Sequence, residues 1–390
     1  VSRMHHRPYL ALLALLGRLA RLARTAPLAL CLLLDAAGAG AAELVDQAGR
    51  TVTLPASVQR IYGSSPPFMV LLSTLAPQRN LGLNFALPAE AARYGPAGLT
   101  MLPVLGGVSG HGQLVNPETL MALKPDLVLG WKSRFSDHGE TAALAERTGA
   151  PLLFVKLDTL ADWPGAYALV GRAIGEEARA AQLGGYIQAA LARVQQAVAE
   201  VPAEHRVRVY YAEQPDGLAT ECDSSFHAEA IALAGGINVH RCPQNGIAGM
   251  ERLNLEQVLA YDPQVIVAQD PGFAAHVGAD PRWAGVRAVR EHRVLWVPRL
   301  PFNWLDRPPS ATRALGIQWL AGAFYPRRAP FDAAQEVPAF YRLFYGVELT
   351  PTDVQTLMAV PDGTSAMAAG TPQHKHPDVG VGHAMPGSAP

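Results

Sequence analysis

Redox and cluster chemistry have little to work with in this sequence. Its 390 residues hold three cysteines, Cys31, Cys222 and Cys242, and no C-x-x-C pair, which excludes a thioredoxin-type motif. Zinc-finger spacing, a P-loop and a G-x-G-x-x-G run after a strand are all absent. Formal net charge is only −1, so there is no basic excess to hold nucleic acid or an anionic membrane surface. No Ser-His-Asp order and no paired catalytic carboxylates stand out, and no cysteine set could carry a cluster. A metal-dependent enzyme therefore has little in this sequence to rest on. What the chain does have is apolar content. Hydrophobic residues make up 49% and charged residues 17%, enough to pack the core of one large or two medium domains.

The N-terminus reads as an export signal, with cleavage expected after residue 41. Arg18, Arg21 and Arg24 form a positive region, residues 26–34 a short apolar stretch, and Ala39-Gly40-Ala41 a small-residue cleavage site. That stretch falls short of the roughly 20 apolar residues a spanning helix needs. Leu28-Ala29-Leu30-Cys31 offers a lipoprotein alternative, with Leu30 where a small residue is wanted. No later segment is apolar for long enough to span a bilayer, so a soluble periplasmic chain is expected. In an oxidising compartment Cys222 and Cys242 either close one short disulfide loop or stay as two thiols.

Residues 58–163 alternate between strand and helix patterns, with strands at 60–62, 81–85, 127–129 and 152–155 and helices at 68–75 and 140–148. Such alternation predicts a parallel, doubly wound α/β sheet. Residues 163–201 then read as helical almost without a break. Leu183, Ile187, Leu191, Val194 and Val198 recur at the spacing of one helix face. A second alternating region follows, with strands at 207–211, 265–267 and 294–297 and helices at 226–233, 310–324 and 337–345. The expected organisation is an N-terminal lobe at 42–165, a linking helix at 166–202 and a C-terminal lobe at 203–346. Residues 347–390 form an extension whose Gly, Pro, Ala and Ser content predicts disorder from about 359.

The strongest signal is an internal repeat. Asn116-Pro117-Glu118-Thr119-Leu120-Met121-Ala122-Leu123-Lys124-Pro125-Asp126-Leu127-Val128-Leu129 is one copy. Asn254-Leu255-Glu256-Gln257-Val258-Leu259-Ala260-Tyr261-Asp262-Pro263-Gln264-Val265-Ile266-Val267 is the other, at a constant offset of 138. Asn caps a short helix, Glu sits where the helix dipole favours negative charge, Pro ends the helix, and an apolar strand follows. Two lobes built alike and joined by a long helix are implied.

These features resemble the helix-linked, or class III, substrate-binding proteins of ABC importers, the helical-backbone metal receptor fold. Two further runs carry the likeness: Asp46-Gln47-Ala48-Gly49-Arg50 before the first strand of the first lobe, and Trp283-Ala284-Gly285-Val286-Arg287-Ala288-Val289 before Arg293-Val294-Leu295-Trp296-Val297-Pro298. The likeness covers about residues 42–345. It implies a ligand cleft between two Rossmann-like lobes, no catalysis and no resident cofactor. The ligand would be a metal complex: a siderophore, haem, cobalamin, or a nickel or cobalt chelate. It also implies docking on an ABC permease dimer through one carboxylate per lobe, by position Glu118 and Glu256.

Ligands of α/β sheets sit at the carboxyl ends of strands. The loops there carry Tyr62, Phe68, Trp131, Lys132, Arg134, Tyr211, Phe302, Trp304 and Arg307, with His227 close by. Cationic and aromatic side chains suit an anionic ferric chelate, through charge and stacking. Direct coordination of a bare metal is the rival; His111 and His227 lead its candidates, beside His138 and His240, and none has H-x-x-x-H spacing. His374, His376 and His383 form a loose histidine tract in the tail. A stiff helical linker predicts modest rocking of the lobes on ligand binding.

Overall fold

The computed structural model describes residues 42–108, 113–134, 136, 138–244 and 249–361. The segment expected to direct export (1–41), His111 and the tail histidines lie outside the described residues. No described helix is long and apolar enough to cross a membrane.

The chain opens with a hairpin, β1 (Ala42–Val45) against β2 (Thr51–Leu54). Its turn explains the Asp46 to Arg50 run. The buried Asp46 carboxylate accepts from the Ala48 and Arg50 amides at 2.9 Å and from the Phe154 amide at 3.2 Å. The Arg50 guanidinium donates to Asp46 at 2.7 and 2.9 Å and lies 4.4 Å above the Phe154 ring. A local turn is thereby bolted to the edge strand of the first lobe.

That lobe is a parallel sheet in the order β3 (Ile61–Gly63), β4 (Leu127–Trp131), β5 (Leu152–Val155). Around it run helices α1 (Pro66–Leu75), α2 (Pro117–Ala122) and α3 (His138–Thr148). The strand expected at 81–85 does not form. Asn80 and Leu83 make only single bridges, to Ile61 and Val104. Pro103, next to Val104 in the facing segment, accepts from the Leu83 amide but has no N–H with which to extend a ladder. Asn84 instead donates sideways to the Gly63 and Gly106 carbonyls.

The linker also differs from expectation. It is a helical hairpin rather than a single rod over 166–202. Helix α4 (Trp163–Ile174) ends at Gly175, whose φ of 73° is left-handed, and α5 (Glu177–Val198) then runs 22 residues, about 33 Å. Glycine suits this cap because it alone has no Cβ penalty there. The surrounding helix-forming composition hides the break. The two helices pack so closely that a Cβ on Gly171 would lie 2.5 Å from that of Ala180.

The second lobe is a parallel sheet in the order β11-β10-β6-β8: Val294–Trp296, Val265–Ala268, Arg208–Ala212 and Ile237–Asn238. A small antiparallel pair, β7 (Ala219–Thr220) and β9 (Glu251–Arg252), sits beside it. Helices α6 (Glu229–Leu233), α7 (Leu255–Tyr261), α8 (Arg313–Phe324) and α9 (Ala333–Tyr345) complete it. The helix expected from 226 begins only at Glu229, leaving Phe226 and His227 in the preceding turn. Past the second lobe, α10 (Pro351–Met358) folds back; it buries Val354 and Leu357 and pairs Asp353 with Arg93 of the first lobe.

Strand alternation divides the interior. Leu127, Leu129 and Trp131, with Val265 and Val267, face one continuous core that runs through both lobes and takes in α1, α4, α5, α8 and α9. Val128 and Ile266 face smaller outer clusters, one per lobe. Leu120 of α2 and Val258 of α7, repeat equivalents, each plug one of those outer clusters.

Cys222 and Cys242 are bonded, with Cα atoms 4.9 Å apart and a sequence separation of 20. Closing a loop of that length restricts the unfolded chain by about 3 kcal/mol. Reduction is expected to cost that much in urea unfolding, and equal stability with and without reductant would contradict it.

Candidate functional site

Two groups of side chains meet where the strand carboxyl ends of the lobes approach each other. The first belongs to the N-terminal lobe. Lys132, Ser133 and Arg134 follow β4, His138 opens α3, and Lys156, Asp158, Thr159 and Asp162 follow β5. Together they line an open cavity of about 470 Å³. Asp162 shapes its floor by accepting from the Thr159 amide and hydroxyl at 2.9 and 2.8 Å. Burial pushes the Asp158 carboxyl up, against a hydrogen bond from Ser133. Among the described residues, Ser136 Oγ and His138 Nε2 are buried without a hydrogen-bond partner. Three cationic side chains, two hydroxyls and an imidazole thus converge with two carboxylates, Asp158 and Asp162, at strand ends beside a helix N-terminus; cations outnumber carboxylates three to two, a balance that favours an anion.

The second group is a buried ionic network in the C-terminal lobe. Arg307 grips Glu213 with two bonds, at 2.8 and 3.0 Å, and Glu221 at 2.5 Å. Its φ of 61° is unusual for a side-chain-bearing residue, and such backbone persists only where surrounding contacts hold it. Asp306, fully buried, meets His227 Nδ1 at 2.7 Å and Arg313 at 3.1 Å. Burial alone would raise the Asp306 carboxyl, but His227, Arg307 and Arg313 outweigh it and lower it to about 2. Glu221 goes the other way. Burial, then the charge of Glu213, raise it to about 7. Its short contact with Arg307 does not reverse this, because that guanidinium is shared with Glu213 and Asp306. Arg313 extends the network to Glu229 at 2.9 Å.

Glu229 and Phe226 join the two groups. The Glu229 carboxylate accepts from the Leu160 amide of the first lobe at 3.0 Å. Phe226 stands edge-on to Trp131 at 5.8 Å and lies 4.2 Å from the His227 ring. A contact path therefore runs Trp131, Phe226, His227, Asp306, Arg307.

Of the residues expected at the cleft, the structure brings Trp131, Lys132, Arg134, His227 and Arg307 to this junction. The remaining aromatics are packed inside. Phe68 and Trp304 are fully buried, and Tyr62, Tyr211 and Phe302 nearly so. Tyr62 donates to the Gly106 carbonyl at 2.9 Å, and Trp304 Nε1 to Tyr341 Oη at 3.1 Å. Tyr211 bonds Gln269, and Phe302 stands 6.1 Å from the Tyr345 ring. These five build the walls behind the cleft. The carboxylates Glu213, Glu221, Asp306 and Glu229, with Lys156 and Asp158, were missed. Glu213, Lys156 and Asp158 lie just past strand ends, the signal used for the others. Nothing local marks Glu229. Glu118 and Glu256 are both exposed, one on each lobe's outer helix. His240 lies away from the network, its Nδ1 at 3.0 Å from Tyr261 Oη.

Two parallel-sheet lobes, a helical linker and a polar junction between them define a solute-binding protein. The periplasmic binding protein family matches residues 93–299, and the chain belongs to that family. Its relatives bind solutes, and it is a binding protein, not an enzyme. It is 28% identical to the molybdate-binding protein MolA of Haemophilus influenzae over 334 residues, 79% of this chain and 92% of that one. An ABC transporter solute-binding protein from Sulfurospirillum deleyianum superposes with a TM-score of 0.75 at 37% identity, over 81% of this chain and 98% of that one. The vitamin B12-binding protein of Vibrio cholerae is 23% identical over 66% of this chain and 86% of its own.

Proposed function

We propose that this chain is the extracytoplasmic solute-binding component of an ABC importer, exported by the segment at 1–41, and that it captures a compact metal-containing anion. The cavity where Lys132, Arg134, Lys156 and His138 outnumber the carboxylates Asp158 and Asp162 carries this reading. Arg307 and Arg313 are engaged by internal carboxylates, so positive charge toward a ligand comes from the first lobe. A metal oxyanion fits that cationic, hydrogen-bonding wall, and the molybdate-binding relative supports the class. The ferric chelate expected from the sequence is the second reading; the Trp131–Phe226 pair at the junction is its aromatic element, with both rings largely buried against each other. The burial of Phe68, Phe302 and Trp304 weighs against a large aromatic-lined wall for a bulky siderophore or a macrocycle. Glu118 and Glu256 dock the loaded protein on the permease dimer, steering approach and setting register.

Calorimetric titration with molybdate, ferric citrate, a ferric catecholate and cyanocobalamin separates these readings. Lys132→Ala with Arg134→Ala is expected to weaken the preferred anion about 100-fold, at roughly 1.5 kcal/mol for each charged hydrogen bond lost. Tight binding of cyanocobalamin alone, or a double variant that binds as the parent does, would overturn the proposal.

A further inference from the structure

The two repeat copies match in more than sequence. From Asn116 to Leu129 and from Asn254 to Val267, buried, half-buried and exposed positions agree at every step. Asn116 Oδ1 caps α2 and Asn254 Oδ1 caps α7. The Arg60 guanidinium donates to the Leu123 carbonyl, and that of Arg208 to the equivalent Tyr261 carbonyl. Lys124 and Asp262 both take left-handed backbone, at φ 46° and 43°, before a buried proline. Each helix is thus pinned at both ends and plugged by one buried side chain.

The fold needs the cap, the plug, the brace and the proline. It does not need what stands on the outer surface. Glu118 and Glu256 are exposed. One helical turn further on, Met121 is 43% exposed and Leu259 39% exposed. Single exposed apolar residues are common and need no explanation. A large apolar side chain exposed at the same register in both copies, three residues after an exposed carboxylate each time, is not scatter.

We infer that each lobe carries a two-part docking knob, Glu118 with Met121 and Glu256 with Leu259, and that its partner is the importer's permease dimer. The inference rests on the function proposed above and adds the apolar half of the contact. A partner with twofold symmetry presents the complement twice, a cation beside an apolar hollow. Charge argues against a second copy of this chain as the occupant, because a self-complementary contact would set acidic knob against acidic knob. The apolar side chain adds affinity on desolvation, while the carboxylate steers and orients.

The test uses the full chain and the permease–ATPase complex encoded with it, held in nanodiscs, with binding followed by interferometry. The double variant Met121→Ser with Leu259→Ser is expected to melt as the parent does and to bind the complex at least ten-fold more weakly at both 0.1 and 0.5 M salt. The double variant Glu118→Gln with Glu256→Gln is expected to lose affinity mainly at 0.1 M, since salt screens the charge pairs. Parent-like binding of the serine variant, alongside weakened binding of the glutamine variant, overturns the apolar half. A parent that is dimeric by size-exclusion chromatography, with a monomeric serine variant, assigns the patch to self-association and overturns it too. Failure of the parent itself to bind the complex sinks the proposed function instead.

Discussion

Arg307→Met is expected to lower folding stability by about 3–5 kcal/mol at pH 7, more than any other single change at the junction. Removing one partner of a buried ion pair leaves an uncompensated buried charge, and that charge sets the cost. Here the guanidinium, 15% exposed, holds Glu213 and Glu221, which are 3% and 1% exposed. Methionine roughly fills the stem's volume and offers nothing to either carboxylate. Adding Glu213→Gln should recover part of the loss. Urea unfolding of the two single variants and the double variant gives the coupling. A loss below about 1 kcal/mol for Arg307→Met would mean that water or other donors already serve these carboxylates.

The stability of the parent is expected to fall as pH rises from about 4.5 to 7.5, by as much as about 3 kcal/mol, and Glu221→Gln should flatten that slope. The Glu221 carboxyl is raised to about 7 in the fold from 4.5, so the folded chain holds a proton the unfolded chain has lost in this window. A group shifted upward contributes stability that is complete below its unfolded pKa and is gone once pH passes its folded pKa. Each pKa unit is worth about 1.4 kcal/mol. The charges facing it are Glu213, Asp306, Arg307 and His227. Asp306 has the opposite sign. It is lowered to about 2 from 3.8, so its contribution holds above pH 3.8 and is lost as pH falls toward 2. Together they place the stability maximum in mild acid. Unfolding free energies at half-unit steps from pH 4 to 8 measure this, and an unchanged slope in Glu221→Gln would remove Glu221 as the cause.

The duplicated architecture was legible because each lobe signals its plan locally. An Asn cap, a Glu in the first turn, a terminating Pro and an apolar strand are all short-range choices, and they recur at one offset. The strand positions followed from apolar runs, apart from 81–85, where apolar residues alone could not reveal that Pro103 in the facing segment blocks a ladder. The linker was half read. Helix-forming residues flank Gly175 on both sides, and only its left-handed backbone shows where one helix stops.

The candidate site was legible by position but not by environment. Rules about strand ends selected Trp131, Lys132, Arg134 and Arg307, which do reach the junction. The same rules selected Phe68, Tyr62 and Tyr211, which are packed inside, because a side chain beside a cleft in sequence can point either way.

Sequence alone determined the pieces whose causes lie within a few residues: two α/β lobes, capped outer helices bearing Glu118 and Glu256, and a helical stretch between them. Tertiary structure decided which charges meet. Glu213, Glu221, Asp306 and Arg307 come together across as many as 94 residues of chain, and their protonation depends on burial and on one another. Those long-range contacts set the pKa of Glu221, and no local pattern encodes them.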